Sequence, residues 1–243
     1  MVQALMKLGF QISEPEIDPA EACNRTLRIE GLGGRIPNGG SKNSPLELHV
    51  ANAGTAARFL TALVCLGEGY FRLSGVARMH ERPQAALFAA LRSLGYEVFS
   101  EHQNDRMPVI VRGGGRLTEK RKCVVGQEES SQFASALQLC AETGNWEILP
   151  QNPKLAESPY LAMTRELIKV FKKCPSEFQI EPDASSGSYF WGAGHLLSED
   201  LRGPTTHAAF PVRVKHWPSS GWQIDSEFPK FLPLPEIVSR QHD

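Results

Sequence analysis

The feature that most constrains this chain is an internal repeat. A helix with a small, polar opening, then a strand, then a second helix opened near a proline, is written twice between residues 52 and 171. In the first copy an Ala-rich helix runs from Asn52 to about Leu66 and strand-like "YFRLSG" follows. Pro83 then opens "RPQAALFAALRSLG", and strands "YEVFS" and "PVIVRG" come next. In the second copy strand-like "KCVVGQ" leads into "SSQFASALQLC", whose apolar residues Phe133, Ala136, Leu137 and Cys140 recur at helical spacing. "WEILP" follows, then "SPYLAMTRELIKVF", with Pro159 just inside the helix start, where a missing N–H costs nothing. A third small, polar opening, "DASSGSYFWGAGHLL" from Asp183 to Leu197, reads as the first helix of another unit. Three such openings predict one architecture repeated.

The flanks fit the same reading. "VQALMKLGFQISEP" followed by "TLRIEGLGG" reads as the second helix and closing strands of a unit, so the chain is expected to begin mid-repeat. After Leu197 the pattern dissolves into a Pro- and Trp-rich segment with strand-like "FPVRVKHW". At 243 residues there is room for one large domain or two modest ones. Lys plus Arg total 26 against 27 for Asp plus Glu, a net charge of -1, so no global field draws nucleic acid or an anionic membrane. Any anionic ligand must be met locally. The five cysteines, Cys23, Cys65, Cys123, Cys140 and Cys174, show no C-x-x-C spacing, which argues against a disulfide framework or a zinc site and for a reducing compartment, the cytoplasm. No apolar run approaches the ~18 residues needed to cross a bilayer, and "MVQALMKLGF" lacks the basic region and cleavage site of a signal peptide.

Helix N-termini carry unpaired N–H groups and the positive end of the helix dipole, so a polar opening followed by small residues is a natural anion seat. "NAGTAARF" offers Asn52, Gly54 and Thr55 there, with Gly54 allowing close approach to the backbone. Ser130 and Ser131 of "SSQF" are ordinary N-cap residues that need no ligand, whereas the amide of Gln132 in a first turn can both donate and accept. "RMHERP", Arg78 to Pro83, places Arg82 just ahead of a helix, where the dipole disfavours a cation. An anion held between that guanidinium and the helix start would relieve the conflict. "GGRIPNGGSK" resembles a phosphate loop, but Gly40 stands where a Lys should follow Gly39, so Lys42 reads as a solvated loop residue. His49, His80, His102, His195, His207, His216 and His242 show no metal-ligand spacing, and His195 reads as a core residue. The four tryptophans read as core packing rather than base stacking.

"NAGTAARFLTAL", "RMHERP", "SSQFASAL", "SPYLAMT" and "DASSGSYF", in that order, resemble the 5-enolpyruvylshikimate-3-phosphate synthases, the 3-phosphoshikimate 1-carboxyvinyltransferases. The resemblance implies an α+β chain forming part of an inside-out α/β barrel of βαβαββ units. Residues 1–181 would be a substrate-binding domain with a truncated first unit, and residues 182–243 the beginning of a second domain. It implies a transferase of the shikimate pathway to chorismate and the aromatic amino acids, working without a cofactor. The enolpyruvyl group of phosphoenolpyruvate would pass to the 5-hydroxyl of shikimate 3-phosphate through a tetrahedral intermediate, with release of phosphate. By motif, Ser130, Ser131 and Gln132 would hold shikimate 3-phosphate with Tyr160 beside its ring. Asn52, Gly54 and Thr55 would line the phosphoenolpyruvate pocket, Arg82 would clamp its charge, and Gln132 would touch both ligands.

Several positions depart from the family pattern. The early glycine–serine–lysine motif with its following arginine is missing, since "GGSKNS" comes too late and lacks the arginine. The proton-accepting carboxylate, the Lys–Glu pair and the late lysine match no motif here, so no catalytic residue is assigned, and Asp243 sits in none of them. Glu157 stands at the usual substrate-binding Ser, Ala51 at the usual Gly before "NAGT", and Phe59 at the usual Pro after it. Between Tyr160 and Asp183 the chain is shorter than the family, as though a closing strand pair were gone. Two other readings stand beside this one. The sibling transferase acting on UDP-N-acetylglucosamine places a reactive Cys before its Arg–Pro, and Gly75 to Pro83 contains none. A non-catalytic remnant would bind an anion or need a complementing chain.

Overall fold

The computed structural model describes residues 1–126, 131–152, 157–200, 212 and 214–232. The chain divides into two compact units, Met1–Leu161 and Ala162–Asp243. The first opens with α1 (Val2–Lys7) and a short antiparallel pair, β1 (Glu16–Ile17) and β2 (Arg25–Thr26), extended by a bridge between Ile12 and Ile29. The helix and closing strands expected there are thus present in abbreviated form.

The first full repeat follows as β3 (Leu46–His49), α2 (Gly54–Val64), β4 (Glu68–Ser74), α3 (Ala77–Glu81), α4 (Ala85–Ser93), β5 (Glu97–Ser100) and β6 (Val109–Gly114). β3 and β4 run parallel, Leu46 opposite Phe71 and Leu48 opposite Leu73. Parallel neighbours need a crossover, and α2 supplies it. β6 is antiparallel to both β4 and β5, so the sheet order is β3-β4-β6-β5. Strand alternation turns Leu48, Phe71, Leu73, Val98, Val109 and Val111 inward, where they meet Leu87, Phe88 and Leu91 of α4 in one core.

The second repeat gives β7 (Arg121–Val125), α5 (Ser131–Gly144), β8 (Trp146–Pro150) and α6 (Pro159–Phe171), with β7 and β8 again parallel. α6 begins at its proline, as the spacing predicts. Residues 172–183 form no strand, so among the described residues this copy lacks the closing pair that β5 and β6 give the first. α5 packs on α2. Most of α2 is covered, Ala56, Ala57, Leu60, Ala62 and Val64 all being buried, while Thr55, Phe59 and Leu63 along one side keep some exposure.

Two helix boundaries differ from expectation. α2 starts at Gly54 on an extended Ala53 cap, so Asn52 belongs to the preceding turn and not to the helix. "RMHERP" is not simply a loop before a helix: Ala77–Glu81 make one short turn of helix with Arg82 as its C-cap, and α4 starts only at Ala85 behind the cap residue Gln84. Pro83 stands between the two helices, where its fixed φ separates them. The glycine-rich "NGGSK" braces a strand. Gly40 exchanges backbone hydrogen bonds with Tyr70 at 3.1 and 2.9 Å, and a Cβ at Gly40 would come within 2.3 Å of the Leu46 nitrogen. Close backbone contact explains those glycines without a ligand, and Lys42 is exposed.

The second unit contains α7 (Ala184–Asp200) and a 3-10 helix (Ile224–Phe231). Asp183 caps α7 by accepting from the Ser186 N–H at 3.2 Å and hydroxyl at 2.7 Å. Glu181 accepts from the N–H groups of Ser219 and Ser220, each at 2.9 Å. Burial pushes the Glu181 carboxyl upward, but the hydrogen bonds from Ser220, Ser219 and Gln223 outweigh it and hold it below the ordinary value. Trp191 meets Trp217 edge-on at 5.7 Å and Phe178 stacks with Trp222 at 6.5 Å. His195 is buried. Of the strand expected over 210–217, residues 212 and 214–217 are described and form no strand, Lys215 and His216 lying in a turn.

In the first unit Trp146 and Tyr96 pack edge-on, and the Tyr96 hydroxyl links two neighbours. It accepts from Trp146 Nε1 at 3.1 Å and donates to the Gly115 carbonyl at 2.8 Å. Tyr96→Phe leaves the buried indole N–H without its acceptor and should cost about 1–3 kcal/mol, read from urea denaturation followed by tryptophan fluorescence.

Candidate functional site

The first turn of α2 is the centre of the site. Gly54 opens the helix and is buried, while Asn52 and Thr55 beside it are exposed. A Cβ at Gly54 would stand 2.7 Å from Arg58 Nη1 and 2.7 and 2.8 Å from Arg82 Nη1 and Nη2. Two guanidinium groups therefore converge on one backbone position that only glycine leaves open. Arg82 also donates from Nη1 to the Asn52 carbonyl at 3.4 Å.

The structure relocates the electrostatic conflict read from the sequence. Arg82 closes α3, at the end of a helix where a cation is favoured, and it precedes α4 by three residues. Its guanidinium lies instead at the N-terminus of α2, against that helix's positive dipole end. The misplaced cation is real, but the helix it opposes is the one 28 residues earlier in the chain.

Arg58 was not singled out by its motif, and it is the most deeply placed charge of the group, only 4% exposed. It lies one turn beyond Gly54 on the same face of α2. Its Nη1 donates to Gln132 Oε1 at 2.6 Å, its Nη2 to the Pro83 carbonyl at 3.5 Å, and its guanidinium rides 5.2 Å over the Phe133 ring. Burial, and then the positive charge of Arg82, hold its proton affinity below the ordinary arginine value. Among the described residues no carboxylate pairs with Arg58 or Arg82. The signal that could have found Arg58 is a charge in the middle of "TAARFLTAL", a run otherwise fit for a core.

The α5 mouth completes the arrangement. Ser131 and Gln132 are half-buried in its first turn, and Gln132 is tied to Arg58 across 74 residues of sequence. Ser130 lies outside the described residues. Tyr160, second residue of α6, is 40% exposed, and Glu157 just ahead of α6 is exposed too. The structure thus brings Gly54, Arg82 and Gln132 to one place through Arg58, with Asn52 touching Arg82 through its carbonyl. Gln84 is a second residue that motif reading missed: it is fully buried and neither amide atom has a hydrogen-bond partner among the described residues.

The chemistry of this cluster is anion recognition. It offers two guanidinium groups, a carboxamide and a helix N-terminus. Of the buried thiols, burial pushes Cys140 up to about 12 and Cys65 well above its ordinary value, which makes both unreactive.

Two substitutions check this description. Ala51, in the turn before the site, has a left-handed φ of 49° that suits glycine, so Ala51→Gly should stabilise the chain by about 1 kcal/mol in urea denaturation. Gly54→Ala, at an ordinary backbone angle, should force the two guanidinium groups away from α2 and weaken inorganic phosphate binding by about tenfold or more in calorimetric titration.

Comparison with known proteins agrees with the resemblance read from the motifs. The sequence profile of the family described as EPSP synthase (3-phosphoshikimate 1-carboxyvinyltransferase) matches residues 1–174. A protein of that name from Marinomonas sp. (strain MWYL1) is 33% identical over 222 residues, covering 83% of this chain and 49% of the relative. Another, from Neisseria gonorrhoeae (strain NCCP11945), is 32% identical over 252 residues, covering 96% of this chain and 53% of the relative. The chain spans about half the length of the curated relatives it matches. A solved EPSP synthase from Acinetobacter baumannii superposes with a TM-score of 0.56 at 18% identity, over 79% of this chain and 44% of the other, a likeness of fold. The repeated α/β units are therefore part of the inside-out α/β fold, and the chain belongs to the EPSP synthase family.

Proposed function

We propose that this chain carries a phosphometabolite-binding half-site for enolpyruvyl transfer between phosphoenolpyruvate and shikimate 3-phosphate. The observation that supports it is the convergence of Arg58 and Arg82 on Gly54, with Gln132 held against Arg58 and no carboxylate pairing with either cation among the described residues. A buried guanidinium beside a second cation and without a counterion is costly, and an anion gripped by Arg82 next to it offsets that cost. In this reading Arg82 grips the phosphate or carboxylate of phosphoenolpyruvate beside Asn52, Gly54 and Thr55. Ser130, Ser131 and Gln132 hold shikimate 3-phosphate, with Tyr160 at its ring.

In this reading residues 1–181 are the substrate-binding domain and residues 182–243 belong to a second one. Transfer needs a proton donor and acceptor at the enolpyruvyl carbons, and no motif of this chain supplies them. A complementing chain that brings those groups would convert binding into turnover. The chain works in the cytoplasm, and among the described residues no helix is long and apolar enough to cross a membrane. The UDP-N-acetylglucosamine reading is disfavoured by the names of the relatives and by the absence of Cys between Gly75 and Pro83.

Calorimetric titration with shikimate 3-phosphate, with and without phosphoenolpyruvate, tests the proposal. Saturable binding strengthened by the second ligand is expected, and Arg82→Ala should weaken the phosphoenolpyruvate response by about tenfold or more. Absence of saturable binding of either ligand overturns it in favour of a non-catalytic remnant.

A further inference from the structure

Arg58 poses a problem that stability does not answer. The buried positions around it in α2 are Gly54, Ala56, Ala57, Leu60, Thr61, Ala62 and Val64, all small or apolar apart from Thr61, whose hydroxyl is satisfied by the Ala57 carbonyl at 2.7 Å. A buried guanidinium without a carboxylate partner is expensive there, and one of its donors, Nε, has no hydrogen-bond partner among the described residues. An apolar side chain of similar volume would serve the core better. What the arginine does instead is reach three segments at once: its own helix, the Pro83 carbonyl beside Arg82, and Gln132 at the mouth of α5.

The contact with Gln132 carries directional information. A carboxamide has an accepting end and a donating end, and rotation by half a turn exchanges them. Arginine has only donors, so at 2.6 Å the atom facing it must be the oxygen. That sets the amide: Oε1 is committed to Arg58, and the N–H donors of Gln132 are turned away from it. A phosphate or carboxylate ligand needs donors, so the setting is the one suited to an anion. A neutral partner in place of Arg58, or none, would leave the amide free to offer its oxygen and repel the ligand. Phe133, next in sequence, lies under the guanidinium, its ring centre 5.2 Å away.

We propose that Arg58 is a positioning residue of the anion site: it fixes the orientation of the Gln132 carboxamide so that donors, not the acceptor, are presented to a bound phosphometabolite. This rests on the half-site reading above. It differs from it in assigning Arg58 no direct contact with the ligand, its effect passing through Gln132.

A double-mutant cycle with an amide spectrum tests it. Arg58→Met should weaken shikimate 3-phosphate binding by about tenfold, and the same change in a Gln132→Ala background should add nothing. Arg58→Lys, which keeps a cationic donor, should recover affinity to within about fivefold of the parent. Additive losses in the cycle, or no recovery with lysine, overturn the proposal. The side-chain N–H resonances of Gln132 in the ligand-free chain give a readout that needs no binding. They should stand apart from the positions of solvated glutamines in the parent and in Arg58→Lys, and collapse toward them in Arg58→Met. If Arg58→Met fails to fold, Arg58→Gln serves in the same two measurements. A parent chain that binds no shikimate 3-phosphate refutes the half-site reading, while an unchanged Gln132 spectrum in Arg58→Met refutes the positioning role separately.

Discussion

The burial of α2 is the constraint on which the first unit depends. The helix crosses over between parallel strands on one side and receives α5 on the other, so most of its surface is covered. Small residues let the neighbours approach, and Leu60 and Val64 fill what remains. Everything placed near the N-terminus of such a helix inherits its rigidity. Gly54, Arg58 and the turn at Ala51 are therefore held by the core rather than by the loops around them, which is the condition a recognition site needs.

Against that frame, two cations work in opposite ways. Arg72, on β4, is met by Glu47 at 2.9 Å and by Glu101, and these carboxylates raise its proton affinity above the ordinary arginine value. Arg58 is met by an amide, a carbonyl and a ring, and its affinity is lowered. The first is a structural ion pair on a partly solvated surface. The second is a desolvated cation beside another cation. The contrast within one unit separates an arginine held by carboxylates from one held by neutral groups.

Repetition also shows where the two copies diverge. Both build a parallel strand pair around a buried helix. Among the described residues only the first adds an antiparallel closing pair, which makes a four-stranded sheet, whereas β7 and β8 pair as a two-stranded one. The shortfall between Tyr160 and Asp183 read in the sequence thus has a structural counterpart in residues 172–183, which form no strand. In the second unit the aromatic pairs and the Glu181 cap supply the packing that regular sheet supplies in the first.

Much of this was legible from the residues in order. Periodicity and punctuation marked α2, α4, α5, α6 and α7 and the strands between them, because helix and strand periods record which faces are buried. The ordered motifs were enough to point to the family. Boundaries were less legible: Asn52 and Pro83 look like helix openings, yet the turn at Ala51 and the short helix α3 shift both starts inward. Which helix Arg82 opposes, and that Arg58 turns from α2 to the amide of Gln132, only the tertiary structure decided. Those contacts join groups 28 and 74 residues apart. A local pattern encodes the direction a side chain faces, while Coulomb energy and hydrogen-bond geometry depend on distances that exist only once the helices are packed.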